Sequence, residues 1–426
     1  MKKTLGILLL LLALILLFAA CGKVGETSGE TEETTPVITT EKEAKPLQVT
    51  GGYIYDKNGN EVVLKGINLG GWLLQETWMC AVNGAESNSE SFAVLKERGF
   101  SDEEIATLFK SYADNYITEY DIETVARIGM NCLRIPFWYR NFMTEELAFY
   151  TENPDENPGF VYLDRVISWA EKYGIYIILD MHGCPGGQST DHCCGIIGKN
   201  ELYTKPENLD AMERLWVAIA QRYRDSETVC AYDIMNEPMN NGEGDANGWT
   251  AGSDEAVRRT NFVYNRMIKA IRKVDPKHII TVEGIWSTDV LPDPAEYGWT
   301  NMMYQLHLYD YSAEMVDYRV AELDRVRREY GVAVYAGEFN NGDFQEYAYG
   351  VYNEYRISRT AWTYKTARGN QGNWSLYYAD IPAADLKNDS YEVLLEKWGE
   401  ILRTDNQKGG WTRNQTLYTW LFTYSK

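Results

Sequence analysis

The sequence predicts an α/β fold, a (β/α)₈ barrel built as one large catalytic-sized domain, on three observations. Eight short segments are rich in β-branched and aromatic residues and nearly continuous in apolar character, as parallel strands buried on both faces are. Amphipathic helical stretches alternate with them, and several stop at Gly or Pro just ahead of the next strand. No GxGxxG or Walker-type loop follows any strand, which sets aside a doubly wound sheet.

The chain opens with MKKTLGILLLLLALILLFAAC, two lysines ahead of an apolar run that ends in Ala19, Ala20 and Cys21. The run from Leu5 to Phe18 is short for a bilayer-spanning helix and suits a signal-peptide core. It resembles a bacterial lipoprotein signal, with Phe18 where that pattern usually has Leu. The resemblance implies cleavage after residue 20, lipidation of Cys21, and an exported protein anchored on the membrane surface. Residues 22–48 are rich in Thr and Glu and poor in aromatics, so they have nothing to bury and read as a flexible tether. From residue 49 to 426 the composition becomes Trp- and Tyr-rich and no further linker interrupts it, which suits one barrel with long loops.

Within that domain, two alternating runs flank Asn58-Gly59, a hairpin signal. The eight strands then follow: LKGINL (64–69), NCLRIPF (131–137), YIILDMH (176–182), VCAYDIMNEP (229–238), IITVEG (279–284), MMYQLHLYD (302–310), VAVYAGEF (332–339) and TAWTYK (360–365). Between them, Leu163, Val166, Ile167 and Ala170 recur at i, i+3, i+4, i+7. Met212, Leu215, Trp216 and Ile219 repeat the spacing, as do Tyr264, Met267, Ile268 and Ile271. Gly129, Gly174, Pro276 and Gly331 mark helix ends. The closing WTRNQTLYTWLF is expected to cover the barrel's underside or flank.

The net charge of −21 excludes nucleic acid and disfavours polyanionic polysaccharides, while a neutral partner meets no such repulsion. Cys132 and Cys230 sit in apolar strands and read as buried thiols. Cys184, Cys193 and Cys194 share one loop, where export would permit a disulfide whose pairing cannot be read. With Asp191 and His192 they fit no standard zinc spacing, so no metal is expected.

Polar residues gather where the strands end: Arg134 lies in strand two, His182 ends three, and Asn236 and Glu237 end four. His307 and Tyr309 end strand six, Glu338 ends seven and Trp362 lies in eight. C-terminal strand ends form the face on which barrel enzymes keep their sites. Glu237 and Glu338 would face each other across the mouth, one neutral and one ionised. That is the minimal machinery for cleaving a glycosidic bond, and mutual repulsion favours the split.

LRIPF, LDMHG, IMNEP, LHLYD, AGEF and AWTYK, in this order on successive strands, resemble glycoside hydrolase family 5, a retaining (β/α)₈ family. GINLGGWLLQETW and HGCPGGQ resemble its exo-β-1,3-glucanase-like branch. The resemblance implies Glu237 as acid/base and Glu338 as nucleophile. Asn236 would bond the sugar 2-hydroxyl, and Arg134 would hold the nucleophile ionised. His182, His307 and Tyr309 would line the subsite of the cleaved sugar, with Trp362 as its floor and Glu76 as a hydroxyl ligand. An Asp follows the HGxPG loop in that branch; here Asp191 is displaced by one place beside His192, and it is left out of the site. Trp72, Trp78, Trp374 and Tyr377 are open between outer sugar subsites and packing.

The expected activity is therefore retaining hydrolysis of β-glucosidic bonds in a β-1,3- or β-1,4-glucan by a monomer with no metal or organic cofactor. A non-catalytic glycan-binding lipoprotein on the same barrel is the alternative, disfavoured because both carboxylates stand. Linkage, sugar, and exo or endo action stay open, since loop shape decides them.

Overall fold

The structure is a computed structural model that describes residues 45–240 and 252–426. The expected signal, Cys21 and most of the tether lie outside the described residues.

Eight parallel strands close a barrel in chain order: β1 (Lys65–Asn68), β2 (Cys132–Trp138), β3 (Tyr176–Gly183), β4 (Val229–Asp233), β5 (Ile279–Glu283), β6 (Met302–Leu308), β7 (Ala333–Phe339) and β8 (Ser358–Ala361). Closure comes from β8 pairing with β1, Thr360 opposite Gly66 and Ala361 opposite Ile67. Most strand residues are buried on both faces, which is why these segments read as continuous apolar runs.

The helices are α1 (Asn88–Glu97), α2 (Asp102–Tyr116), α3 (Glu119–Ile128), α4 (Pro158–Tyr173), α5 (Pro206–Tyr223), α6 (Asp254–Val274), α7 (Pro294–Tyr297), α8 (Ala313–Tyr330), α9 (Gln345–Glu354), α10 (Tyr391–Lys397) and α11 (Gln415–Tyr424). The three periodic quartets fall on the buried faces of α4, α5 and α6. Gly129, Gly174 and Gly331 end α3, α4 and α8 with φ of 99°, 68° and 67°, the left-handed turn that frees a helix terminus to re-enter the sheet. The link from β5 to β6 carries a 3₁₀ turn (Thr288–Val290) and the single turn α7 in place of a long helix, because Pro292 and Pro294 interrupt a stretch without helical period.

The hairpin at Asn58-Gly59 joins Tyr53–Tyr55 to Glu61–Val62, and Gln48–Thr50 adds a third antiparallel strand. Regular structure thus begins one residue inside the segment expected as tether, and Leu47 is already buried. Leu47 and Ile54 pack with Leu64, Cys132, Cys230, Ile279 and Met303, residues at the strands' N-terminal ends. This small sheet, not the C-terminal segment, covers the barrel's underside. α11 lies on the flank against α3 and α9, where Arg359 from β8 donates to the Tyr424 carbonyl at 2.8 Å.

Two strand expectations shift. β4 ends at Asp233, so Asn236 and Glu237 lie beyond the strand on a loop. β8 spans Ser358–Ala361, so Trp362 follows it rather than lying within it. All six cysteines among the described residues are buried free thiols, including Cys184, Cys193 and Cys194.

Candidate active site

At the C-terminal face of the barrel a cleft of about 330 Å³ is lined by Glu76, His182, Asn236, Glu237, Tyr309, Glu338 and Trp362 among others. Seven of the nine residues proposed from sequence line it, and the other two, Arg134 and His307, lie directly beneath.

Arg134 is fully buried on β2 and organises the floor. Its Nε donates to Asp233 Oδ2 at 2.8 Å, and its Nη1 to Glu338 Oε1 at 2.9 Å and Asn68 Oδ1 at 3.2 Å. Its Nη2 donates to Asn236 Oδ1 at 2.9 Å and stands 3.2 Å from Asp180 Oδ1. Burial opposes the guanidinium charge, but three surrounding carboxylates outweigh it and hold the group protonated. The planar fork suits this position, because one side chain sets the directions of a carboxylate on β7 and an amide beyond β4 together.

Glu338, at the end of β7, accepts a second hydrogen bond from the Tyr309 hydroxyl at 2.7 Å. Gly337 beside it carries no Cβ for a steric reason, since one would fall 1.9 Å from Gln305 Oε1 and 3.3 Å from His307 Nε2. Glu237 sits at φ 38°, a left-handed backbone that a non-glycine residue adopts at a cost of about 1–3 kcal/mol. Its main-chain N–H donates to Glu283 Oε2 at 2.8 Å, and its Oε1 lies 2.8 Å from His307 Nδ1. The Cys193 thiol donates to its Oε2 at 3.5 Å. Burial pushes the Glu237 carboxyl above its ordinary range; nearby His182 offsets part of that rise and the charge of Glu76 adds to it.

His307 Nδ1 also lies 3.5 Å from Glu338 Oε2. One ring nitrogen therefore reaches both carboxylates, and the sum of its two distances caps the separation of those oxygens. That cap is compatible with the closely set carboxyl pair of a retaining enzyme, about 5–5.5 Å apart. Burial holds His307 down to about 3, so the ring is neutral.

His182 stacks on Trp362, ring centroids 5.4 Å apart and planes within 5°. Burial disfavours its charge, but Asp180, bonded to Nδ1 at 2.7 Å, raises it to about 9. Gln188 in the loop after β3 donates to the carbonyls of His182 and Asn236 at 2.8 and 2.9 Å, tying the two strand ends together. Glu76 accepts from Trp78 Nε1 at 2.8 Å and lies 3.2 Å from His192 Nε2. Burial alone would raise the Glu76 carboxyl, but the bond to His192 and the charge of His182 hold it below its usual value.

Sequence reasoning missed Asp180, Asp233, Gln305 and Glu283, which read as interruptions in apolar strands. Their signal was burial: a carboxyl inside a parallel strand needs a partner, and Arg134 was the cation in reach. It also missed His192 and Cys193, which the loop after β3 turns into the cleft beside Asp191. Trp78 and Trp374 line the cleft edge-on to each other at 5.7 Å, and Trp374 stacks on Tyr309. Trp72 instead packs inside, its Nε1 donating to the Ala113 carbonyl at 2.9 Å, and Tyr377 is buried against Tyr364.

Residues 56–380 match the family described as Cellulase (glycosyl hydrolase family 5). A β-xylosidase of Phanerodontia chrysosporium is 31% identical over 394 residues, covering 83% of this chain and 78% of that protein. A probable glucan 1,3-β-glucosidase A of Aspergillus fumigatus is 28% identical over 254 residues, 58% of this chain and 55% of the relative. The crystal structure of an endogalactoceramidase shares the fold, with a TM-score of 0.59 at 20% identity over 83% of this chain and 84% of that one. Barrel, ordered strand-end motifs and family match agree: the chain is a glycoside hydrolase belonging to glycosyl hydrolase family 5.

Proposed function

We propose that this enzyme hydrolyses β-glucosidic bonds of a β-glucan with retention, Glu338 acting as nucleophile and Glu237 as acid/base. The observation that carries the reading is His307 Nδ1 standing 2.8 Å from one carboxylate and 3.5 Å from the other. Such closeness suits a retaining pair, whose two carboxyl groups flank one anomeric carbon. In the first displacement a Glu338 oxygen bonds to the anomeric carbon as the glycosidic C–O bond breaks, and Glu237 gives its proton to the departing oxygen. In the second, Glu237 takes a proton from water, the water oxygen bonds to that carbon, and the bond to Glu338 breaks. Two inversions return the original configuration. Asn236, steered by Arg134, is aimed at the sugar 2-hydroxyl, and Trp362 forms the floor.

Proton NMR of the first product tests this: a β-anomer is expected, and an initial α-anomer would end the proposal. Release of sugars from laminarin, lichenan and carboxymethylcellulose, with aryl β-glucoside compared against aryl β-xyloside, assigns the glycan. The xyloside belongs there because the β-xylosidase match spans most of the chain.

The N-terminal sequence further supports export and lipid attachment at Cys21. Cys21→Ser would then abolish labelling by a lipid precursor and release the protein from membranes; unchanged membrane retention would refute the anchor.

A further inference from the structure

Glu283 is among the buried ionisable side chains that the mechanism above does not use. Glu283 ends β5 beneath the acid/base, is almost fully buried, and touches Glu237 through the backbone rather than the side chain. Its Oε1 lies 3.4 Å from His307 Nε2, and neither atom has a hydrogen-bond partner among the described residues. Hydrogen-bond accounting then decides what these groups carry.

A neutral imidazole has one donor and one acceptor nitrogen. His307 Nδ1 faces two carboxylates, Glu237 Oε1 and Glu338 Oε2. Glu338 already receives Arg134 and Tyr309, as an ionised carboxylate does, so a lone pair on Nδ1 would be repelled by it. The ring proton therefore belongs on Nδ1, leaving Nε2 with a lone pair. An ionised Glu283 would set a second lone pair against it. Ionisation would also place another buried negative charge beside Asp233 and Glu237. Arg134, the buried cation in reach, is already shared among Asp180, Asp233 and Glu338. From α6, Tyr264 offers no side-chain donor to the carboxyl, because its hydroxyl bonds the Glu283 main chain.

We infer that Glu283 is held as the neutral acid, its O–H donating to His307 Nε2 while its other oxygen accepts the Glu237 main-chain N–H. It is thereby a positioning residue for the acid/base. One carboxyl acts twice, selecting the imidazole tautomer that hydrogen-bonds Glu237 Oε1 and pinning the left-handed backbone that aims the side chain. The direction of its pKa agrees, since burial pushes the Glu283 carboxyl far up and the charges of Glu237 and Asp233 add to the rise.

The inference rests on the retaining reading only for its kinetic arm, so the test has two independent readouts. A glutamine is the isostere of a protonated glutamate, with its oxygen for the Glu237 N–H and its NH₂ for Nε2. Infrared spectra of folded wild type at neutral pH should carry the carbonyl stretch of a buried carboxylic acid that Glu283→Gln lacks. Absence of that band means an ionised Glu283, as it would be if it held a cation with Glu237 and His307, and overturns the inference whatever the enzyme's activity.

In kinetics, Glu283→Gln should keep kcat within about threefold of wild type. Glu283→Leu should lose about 100-fold, the scale of a 1 Å misplacement, with KM little changed. The loss should shrink on aryl glycosides whose leaving group needs no protonation, a pattern that general destabilisation would not produce. Equal losses in the Gln and Leu variants, or losses independent of leaving group, would refute the positioning role. Should the Glu283→Leu variant fail to fold, the Gln variant and the infrared band still decide the question.

Discussion

Replacing Arg134 by lysine keeps the positive charge and removes the fork, so it separates charge from geometry. The guanidinium spreads its bonds over three nitrogens to Asp233, Glu338, Asn68 and Asn236. A lysine ammonium has three donors on one atom, which cannot stand at hydrogen-bond distance from Asp233, Glu338 and Asn236 together. At least one charge-assisted bond is lost, worth about 1.5–3 kcal/mol. If that bond is the one to Glu338, kcat/KM falls about 10- to 150-fold. The assay is kcat/KM on an aryl β-glucoside alongside equilibrium unfolding in denaturant. Arg134→Met should fare worse, because it strands Asp180, Asp233 and Glu338 without a cation at about 3–5 kcal/mol, a large fraction of a typical domain's stability. An Arg134→Lys enzyme within twofold of wild type in both measurements would refute the claim that fork geometry is required.

Three further outcomes follow from the same site. Because burial raises the Glu237 carboxyl, the alkaline limb of kcat/KM should lie above the ordinary value of about 4.3; it should vanish in Glu237→Ala, and an unchanged limb would remove Glu237 from its role. Trp362→Ala removes the face stacked on His182 and should raise KM about 2- to 10-fold, with Trp362→Phe near wild type; an unchanged KM in the Ala variant would mean the ring is not the sugar's floor. His182 is raised from 6.5 to about 9 in the folded chain, so its stabilising effect is complete below 6.5 and lost as pH climbs through 9. Denaturant stability should decline by up to about 3 kcal/mol across that window, and the decline should flatten in His182→Gln; a wild-type slope in the variant would assign the decline to other groups.

Much of the site was legible because barrel chemistry is local to strand ends. Asn236-Glu237, His307, Tyr309 and Glu338 each follow an apolar run, and the barrel's topology carries all such ends to one face. Trp362 lines the mouth although β8 stops before it, since a one-residue error at a strand end does not move the ring from that face. Where pattern failed, the deciding quantity was a distance between remote segments. Trp72 and Trp78 stand six positions apart with the same chemistry, yet one packs against α2 and the other lines the cleft.

By itself, the sequence determined the eight strands, the apolar faces of α4, α5 and α6, the glycine stops of α3, α4 and α8, and the two carboxylates at or beyond the strand ends. Hydrophobic period and terminal signals act over a few residues, so they survive in one dimension. Only the tertiary structure decided which charges answer one another: Asp180 and Asp233 with Arg134, His192 with Glu76, and Glu283 with His307 and the backbone of Glu237. These pairings join residues from about two dozen to just over one hundred positions apart. Their energies come from burial and from separations of about 3 Å, and no pattern along the chain encodes either.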